Sequence, residues 1–124
     1  MRIEVAIDIK EPQIMIPFYE KLLNYQSNQA DNDRYGSDRI YFSSIDPTGV
    51  GPKLIFQVVP EPVTVKNRIH LDLHVADIET VAQRAVELGA TRLDSQPIAE
   101  AGTEWIRLSD PEGNVMCVVK AVDQ

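Results

Sequence analysis

The chain has a single cysteine, Cys117, among 124 residues. An internal disulfide framework is thereby excluded, and a reducing compartment, the cytoplasm, is the expected location. Long hydrophobic runs are missing too. None approaches the ~20 apolar residues that cross a bilayer, so no membrane partner is expected. The opening Met1-Arg2-Ile3-Glu4-Val5 mixes charged and apolar positions and has no signal-peptide core. Positive charge is scarce: 12 Lys and Arg face 19 Asp and Glu, for a formal net charge of −7. That balance opposes a sequence-independent grip on phosphate backbones, which removes nucleic acid as a partner. A local anion site remains compatible with it. Aromatic residues are few (three Phe, four Tyr, one Trp), so an aromatic-rich ligand cavity is not expected.

What is present is ordinary globular material, 44% apolar and 25% charged, in a length that buries a real core. Residues 2–9 alternate with period two, which places Ile3, Val5, Ile7 and Ile9 on one face of a half-buried strand. Glu4, Ala6 and Asp8 fall on the other face. Glu11-Pro12 opens a helix with the apolar stripe Ile14, Met15, Phe18, Tyr19 and Leu22. Pro17 inside it predicts a kink or a late start, and Asn24 a left-handed stop. Residues 26–38 read as a polar irregular stretch, with 31–39 a solvated loop or mobile lid. Strands at 40–42 and 53–59 flank the turn Asp46-Pro47-Thr48-Gly49, and 61–66 forms a linker.

The same order then recurs. Residues 67–75 alternate, with Ile69, Leu71, Leu73 and Val75 on one face and His70, Asp72 and His74 on the other. Asp77 caps a helix carrying Ile78, Val81, Ala82, Ala85 and Leu88, and Gly89 stops it. Strands at 105–108 and 115–119 flank a second Asp-Pro-x-Gly turn, Asp110 to Gly113. Glu4 stands seven residues before the first helix start at Glu11, and His70 seven before the second at Asp77. Two copies at about 65-residue spacing do not make a solenoid. They fit one pseudo-symmetric α+β domain over residues 1–124, with module one at about 1–62 and module two at about 67–124.

The segments Lys66 to Asp77, Val86-Glu87-Leu88-Gly89-Ala90 and Trp105 to Asn114 resemble the glyoxalase / bleomycin-resistance / dioxygenase (vicinal oxygen chelate) superfamily. Pro17 to Leu23 and Leu54-Ile55-Phe56-Gln57 agree more loosely. The resemblance implies paired βαβββ modules, each curling a sheet around half of a shared cavity, and a homodimer. It also implies, in metal-dependent members, four ligands from the first and last strands of each module. Carried onto this chain, those positions are Glu4, Gln57, His70 and Cys117, with 50–53 as an insertion. Glu4 replaces a usual His or Gln; Gln57 and Cys117 each replace a usual Glu. The implied cofactor is a divalent metal (Zn, Ni, Mn or Fe), and a thiolate biases the set toward zinc. An unmetallated pocket, with Cys117 a small core hydrophobe, is the competing reading.

Asp8, Asp72, His74 and Trp105 are the expected cavity-lining residues. His70, Asp72 and His74 form either an acid–base cluster or a plain polar strand face. Arg68 and Arg107 pair either a substrate acid or the protein's own carboxylates. Two functions follow for a small-molecule site. One is a metal-dependent lyase or isomerase acting on a bidentate oxygen substrate. The other is non-catalytic sequestration of a small molecule without metal, as in resistance-type members. A third, action mainly through association with a partner chain, requires a large exposed apolar patch.

Overall fold

A computed structural model describes residues 1–121; the last three residues of the expected second module, 122–124, lie outside the described residues. The chain forms two compact units that divide after Pro62. In the first, the elements are β1 (Val5–Ile9), α1 (Pro12–Leu23), β2 (Gln26–Ser27), α2 (Gln29–Tyr35), β3 (Tyr41–Ile45) and β4 (Leu54–Val58). Its sheet has the order β1-β4-β3-β2, with β1 parallel to β4 and the other pairs antiparallel. The second contains β5 (Asp72–Val75), α3 (Ile78–Glu87), β6 (Thr91–Arg92), β7 (Ile98–Glu100), β8 (Thr103–Ser109) and β9 (Val115–Lys120). Its order is β5-β9-β8-β6, with β7 also on β8 and β5 parallel to β9. The repeated βαβββ order of this α+β fold is thus present in both halves.

Each sheet buries the face that its helix covers. In the first unit Met15, Phe18, Tyr19 and Leu22 of α1 are buried with Ile9, Leu54 and Phe56, and the Tyr19 and Phe56 rings stand 5.8 Å apart. Ile14 is the exception within the expected stripe; it is exposed, because the stripe of α1 is narrower than the apolar pattern. The helix starts at Pro12 and runs through Pro17, so the expected late start does not occur. Asn24 ends it in the left-handed conformation, φ 57°. In the second unit α3 offers small residues, Ala82 and Ala85, over Ile106, Leu108, Met116 and Val118. The Asp77 carboxylate caps α3 by accepting from the Thr80 N–H at 3.1 Å.

Both Asp-Pro-x-Gly segments are turns, and their aspartates explain why. Asp46 accepts from the Thr48 and Gly51 N–H groups, each at 2.8 Å. Asp110 accepts from those of Glu112 and Asn114, at 2.9 and 3.0 Å. Gly113 sits at φ 104°, a backbone geometry that favours glycine.

Three expectations need correction. The polar stretch after α1 is not an irregular lid: it contains β2 and α2. Asn28 caps α2, and Asp31 and Asn32 are buried, the latter bonding both the N–H and the C=O of Ser43. The first strand is shorter than its alternation, and Ile3 is 72% exposed. Its partner begins only at Leu54, since Asp46 holds Gly51 in the turn and Pro52 has no N–H, so Ile3 and Glu4 have no ladder to join. Strand β5 likewise starts at Asp72, leaving Ile69 89% exposed and His70 outside it. Here the side-chain amide of Asn67 stands in the ladder. Its Oδ1 accepts from Val115 N–H at 2.7 Å, and its Nδ2 donates to Ile69 C=O at 2.8 Å and Val115 C=O at 2.9 Å. An inserted amide takes the backbone groups that direct pairing would use.

Candidate functional site

Parallel pairing sets Asp72 of β5 opposite Cys117 of β9, and antiparallel pairing sets Arg107 of β8 opposite the same Cys117. One row of side chains, Asp72–Cys117–Arg107, therefore crosses three strands on the sheet face opposite Ile106, Leu108, Met116 and Val118. His70 joins the row from the loop held by Asn67, with its Nε2 3.1 Å from Asp72 Oδ1. His70, Asp72 and Cys117 each bring one ligand atom to within 4.8 Å of the others. The histidine and aspartate are exposed, whereas Cys117 is only 8% exposed. Burial first, and then the neighbouring Asp72 carboxylate, push the Cys117 thiol up, against an opposing pull from the Arg107 guanidinium. Such a thiol keeps its proton until a cation takes its place.

These donors fit a divalent metal in part. One nitrogen, one oxygen and one sulfur suit zinc, and three protein ligands leave a coordination position open. Among the residues expected as ligands, His70 and Cys117 are brought together, and Asp72, expected to line a cavity or to join an acid–base cluster, completes their group.

Glu4 and Gln57 lie in the first unit and are not brought together. Glu4 stands level with Lys53, while Gln57 pairs with Asp8, four residues further along the sheet, roughly 13 Å at the usual strand rise. Lys53 Nζ lies 3.1 Å from Glu4 Oε1 and 2.9 Å from Asp31 Oδ2, so an ammonium already neutralises the Glu4 carboxylate. The repeat offset also matters. Glu11 and Asp77 both stand at the N-cap position of a helix, which makes Ala6 the counterpart of Asp72 and its partner Ile55 the counterpart of Cys117. Ile55 is hydrocarbon and ligates nothing. Gln57 is two residues past that position because the insertion after the Asp46 turn is two residues in register terms, not four.

His74 and Trp105 occupy the next row of the same face in the second unit, both opposite Val119. Neither side chain forms a hydrogen bond among the described residues. Arg107 resolves onto the protein's own acid: Asp94 accepts from its N–H at 2.9 Å, from Nη2 at 2.8 Å and from Nε at 3.1 Å. That guanidinium holds the Asp94 carboxyl below the usual range. Sequence reasoning missed Asn67 and Asp94, whose partners are 48 and 13 residues away. The His-x-Asp spacing of His70 and Asp72 was the available signal for the third donor.

A family model described as a glyoxalase-like domain matches residues 4–119. No curated protein matches the sequence. Among solved structures, the chain is similar to a glyoxalase/bleomycin resistance protein/dioxygenase family enzyme from Burkholderia phytofirmans PsJN. That match has a TM-score of 0.75 at 17% identity and covers 96% of this chain and 97% of that one. A genomically encoded fosfomycin resistance protein, FosX, from Listeria monocytogenes gives 0.74 at 10% identity, covering 98% and 93%. A glyoxalase/bleomycin resistance protein from Albidiferax ferrireducens T118 gives 0.67 at 15%, covering 96% and 97%. Likeness at these identities is one of fold. Among the described residues no helix is long and apolar enough to cross a membrane.

Proposed function

The chain belongs to the glyoxalase-like domain family, and on that premise we propose that it is a metal-dependent lyase or isomerase acting on a small substrate with two adjacent oxygens. The observation that supports this reading is the convergence of His70, Asp72 and Cys117 donor atoms within 4.8 Å on one sheet face. These three residues would hold a divalent ion, zinc before nickel or manganese because of the thiolate. When bound, such an ion supplies Lewis-acid polarisation of a substrate oxygen. His74, one row on along β5 at about 7 Å from Asp72 by strand spacing, is the group assigned to proton transfer, because its ring nitrogens can both accept and donate a proton.

A second reading, sequestration of a small molecule without metal, is favoured by a different observation. At the register positions that correspond to Asp72 and Cys117 the first unit carries Ala6 and Ile55, neither of which ligates a metal, and its Glu4 is paired with Lys53. Metal stoichiometry on the purified protein, as isolated and after exposure to zinc, nickel and manganese, separates the two. The metalloenzyme reading expects one tightly held ion per chain, lost in His70→Ala and Asp72→Ala but retained in Glu4→Ala and Gln57→Ala. No retained ion overturns it and leaves the sequestering reading. The homodimer implied by the family is tested by light scattering at working concentration.

A further inference from the structure

The face that carries the three donors also carries a cation and an aromatic ring. Arg107 stands beside Cys117 in the same row, one strand spacing of about 4.8 Å away. Its guanidinium is fixed by Asp94 through Nε and Nη2, while Nη1 forms no hydrogen bond among the described residues and the side chain is 43% exposed. Asp94 is itself largely buried, so the guanidinium is oriented by a group that cannot swing away. Trp105 lies two residues before Arg107 on β8, hence on the same face, and is half-buried. A planar donor with a free edge and a neighbouring indole together suit a flat anion.

We propose that Arg107 and Trp105 form an oxyanion subsite beside the His70–Asp72–Cys117 group, and that the substrate class is a 2-hydroxy or 2-oxo carboxylate carrying a flat apolar substituent. The assignment of substrate class rests on the metal reading above; the anion subsite itself does not. The Arg107 edge takes the carboxylate, the indole takes the flat substituent, and the 2-oxygen points toward the three donors. Asp94 acts through Arg107 and is a positioning residue. The scarcity of positive charge elsewhere makes this site selective: the net charge of −7 repels anions generally, so binding depends on a guanidinium that is already oriented.

Trp105 is the chain's one tryptophan, so its fluorescence reports the subsite directly. The experiment titrates the full chain with mandelate and with uncharged mandelamide, each with a chelator present and again with added zinc. Saturable fluorescence change with mandelate, at least tenfold weaker with the amide, is the expected result. Arg107→Gln should weaken mandelate at least tenfold, Arg107→Lys should restore part of it, and Asp94→Asn should weaken it less than Arg107→Gln. Circular dichroism of each variant checks folding, and Arg107→Lys stands in if the glutamine variant unfolds. Tighter mandelate binding with zinc supports both the subsite and the metal reading. Arg107-dependent binding that zinc leaves unchanged supports the subsite and overturns the substrate assignment, while the metal reading is decided separately by the stoichiometry of the retained ion. Equal response to mandelate and mandelamide, no response to either, or mandelate binding unaffected in Arg107→Gln overturns the subsite.

Discussion

Replacing Asn67 by alanine tests whether the shortness of β5 and the position of His70 have one cause. The Asn67 amide makes bonds of 2.7 and 2.9 Å to the Val115 N–H and C=O and one of 2.8 Å to Ile69 C=O. The last is exposed and water replaces it. The two Val115 bonds are partly buried, and each contributes about 1 kcal/mol net, so Asn67→Ala should cost about 2 kcal/mol. For a chain of this size that corresponds to a fall in Tm of roughly 6–10 °C. Asn67→Asp keeps an acceptor for Val115 N–H and should lose about half as much. The loop bearing His70 is released in both variants, so zinc affinity should fall about tenfold or more, the usual effect of removing a ligand's supporting contact. Urea titrations and zinc isotherms measure the two effects. A stability loss under about 0.5 kcal/mol with zinc affinity unchanged would show that the amide supports neither strand nor ligand.

Other outcomes follow from particular contacts. Lys53 holds the Asp31 carboxyl below the usual range, and Asp31, then Glu4, raise the Lys53 ammonium. Stability from Asp31 is therefore complete above its unfolded value near pH ~4 and lost as pH falls through the lower folded one; that from Lys53 is complete below about pH 10 and lost as pH rises through the higher folded one. Lys53→Met should flatten both limbs of a Tm-against-pH profile, and parallel profiles would contradict this. Asn32→Ala strips the buried Ser43 N–H of its 2.9 Å partner and should cost about 2–3 kcal/mol by urea unfolding; a loss within about 0.5 kcal/mol would return residues 26–38 to the status of a loose loop. Cys117→Ser exchanges a soft donor for a hard one, so zinc should weaken far more than manganese in competition isotherms; equal weakening would argue against thiolate ligation.

Much of the fold was legible because its signals are local. The cap residues Asn24 and Asp77, the turn aspartates Asp46 and Asp110, and the alternation within β1 and β5 all act over a few residues and appear where expected. Alternation failed at Ile3 and Ile69, where the pattern continues but the partner strand does not. Asn67 and Pro52 decide those ends, and only the three-dimensional pairing shows what they face. The short helix α2 was hidden because its polar residues Asp31 and Asn32 are buried through charge and hydrogen bonding, not through hydrophobicity. At the site, His70 and Cys117 could be read from the repeat, but the register that exchanges Gln57 for Ile55 could not, since an insertion in a turn leaves strand pairing undetermined. Asp94 carries no local sign of its bond to Arg107.

Cobalt titration reads the proposed metal centre itself, because cobalt substitutes for zinc in sites with nitrogen, oxygen and sulfur donors and reports a thiolate ligand by a charge-transfer band. One cobalt per chain with that band present is expected, the band abolished in Cys117→Ser, and binding itself abolished in Asp72→Ala and retained in Glu4→Ala. Cobalt binding without the thiolate band, or binding that persists in Asp72→Ala and disappears in Glu4→Ala, would contradict a metal centre built on His70, Asp72 and Cys117.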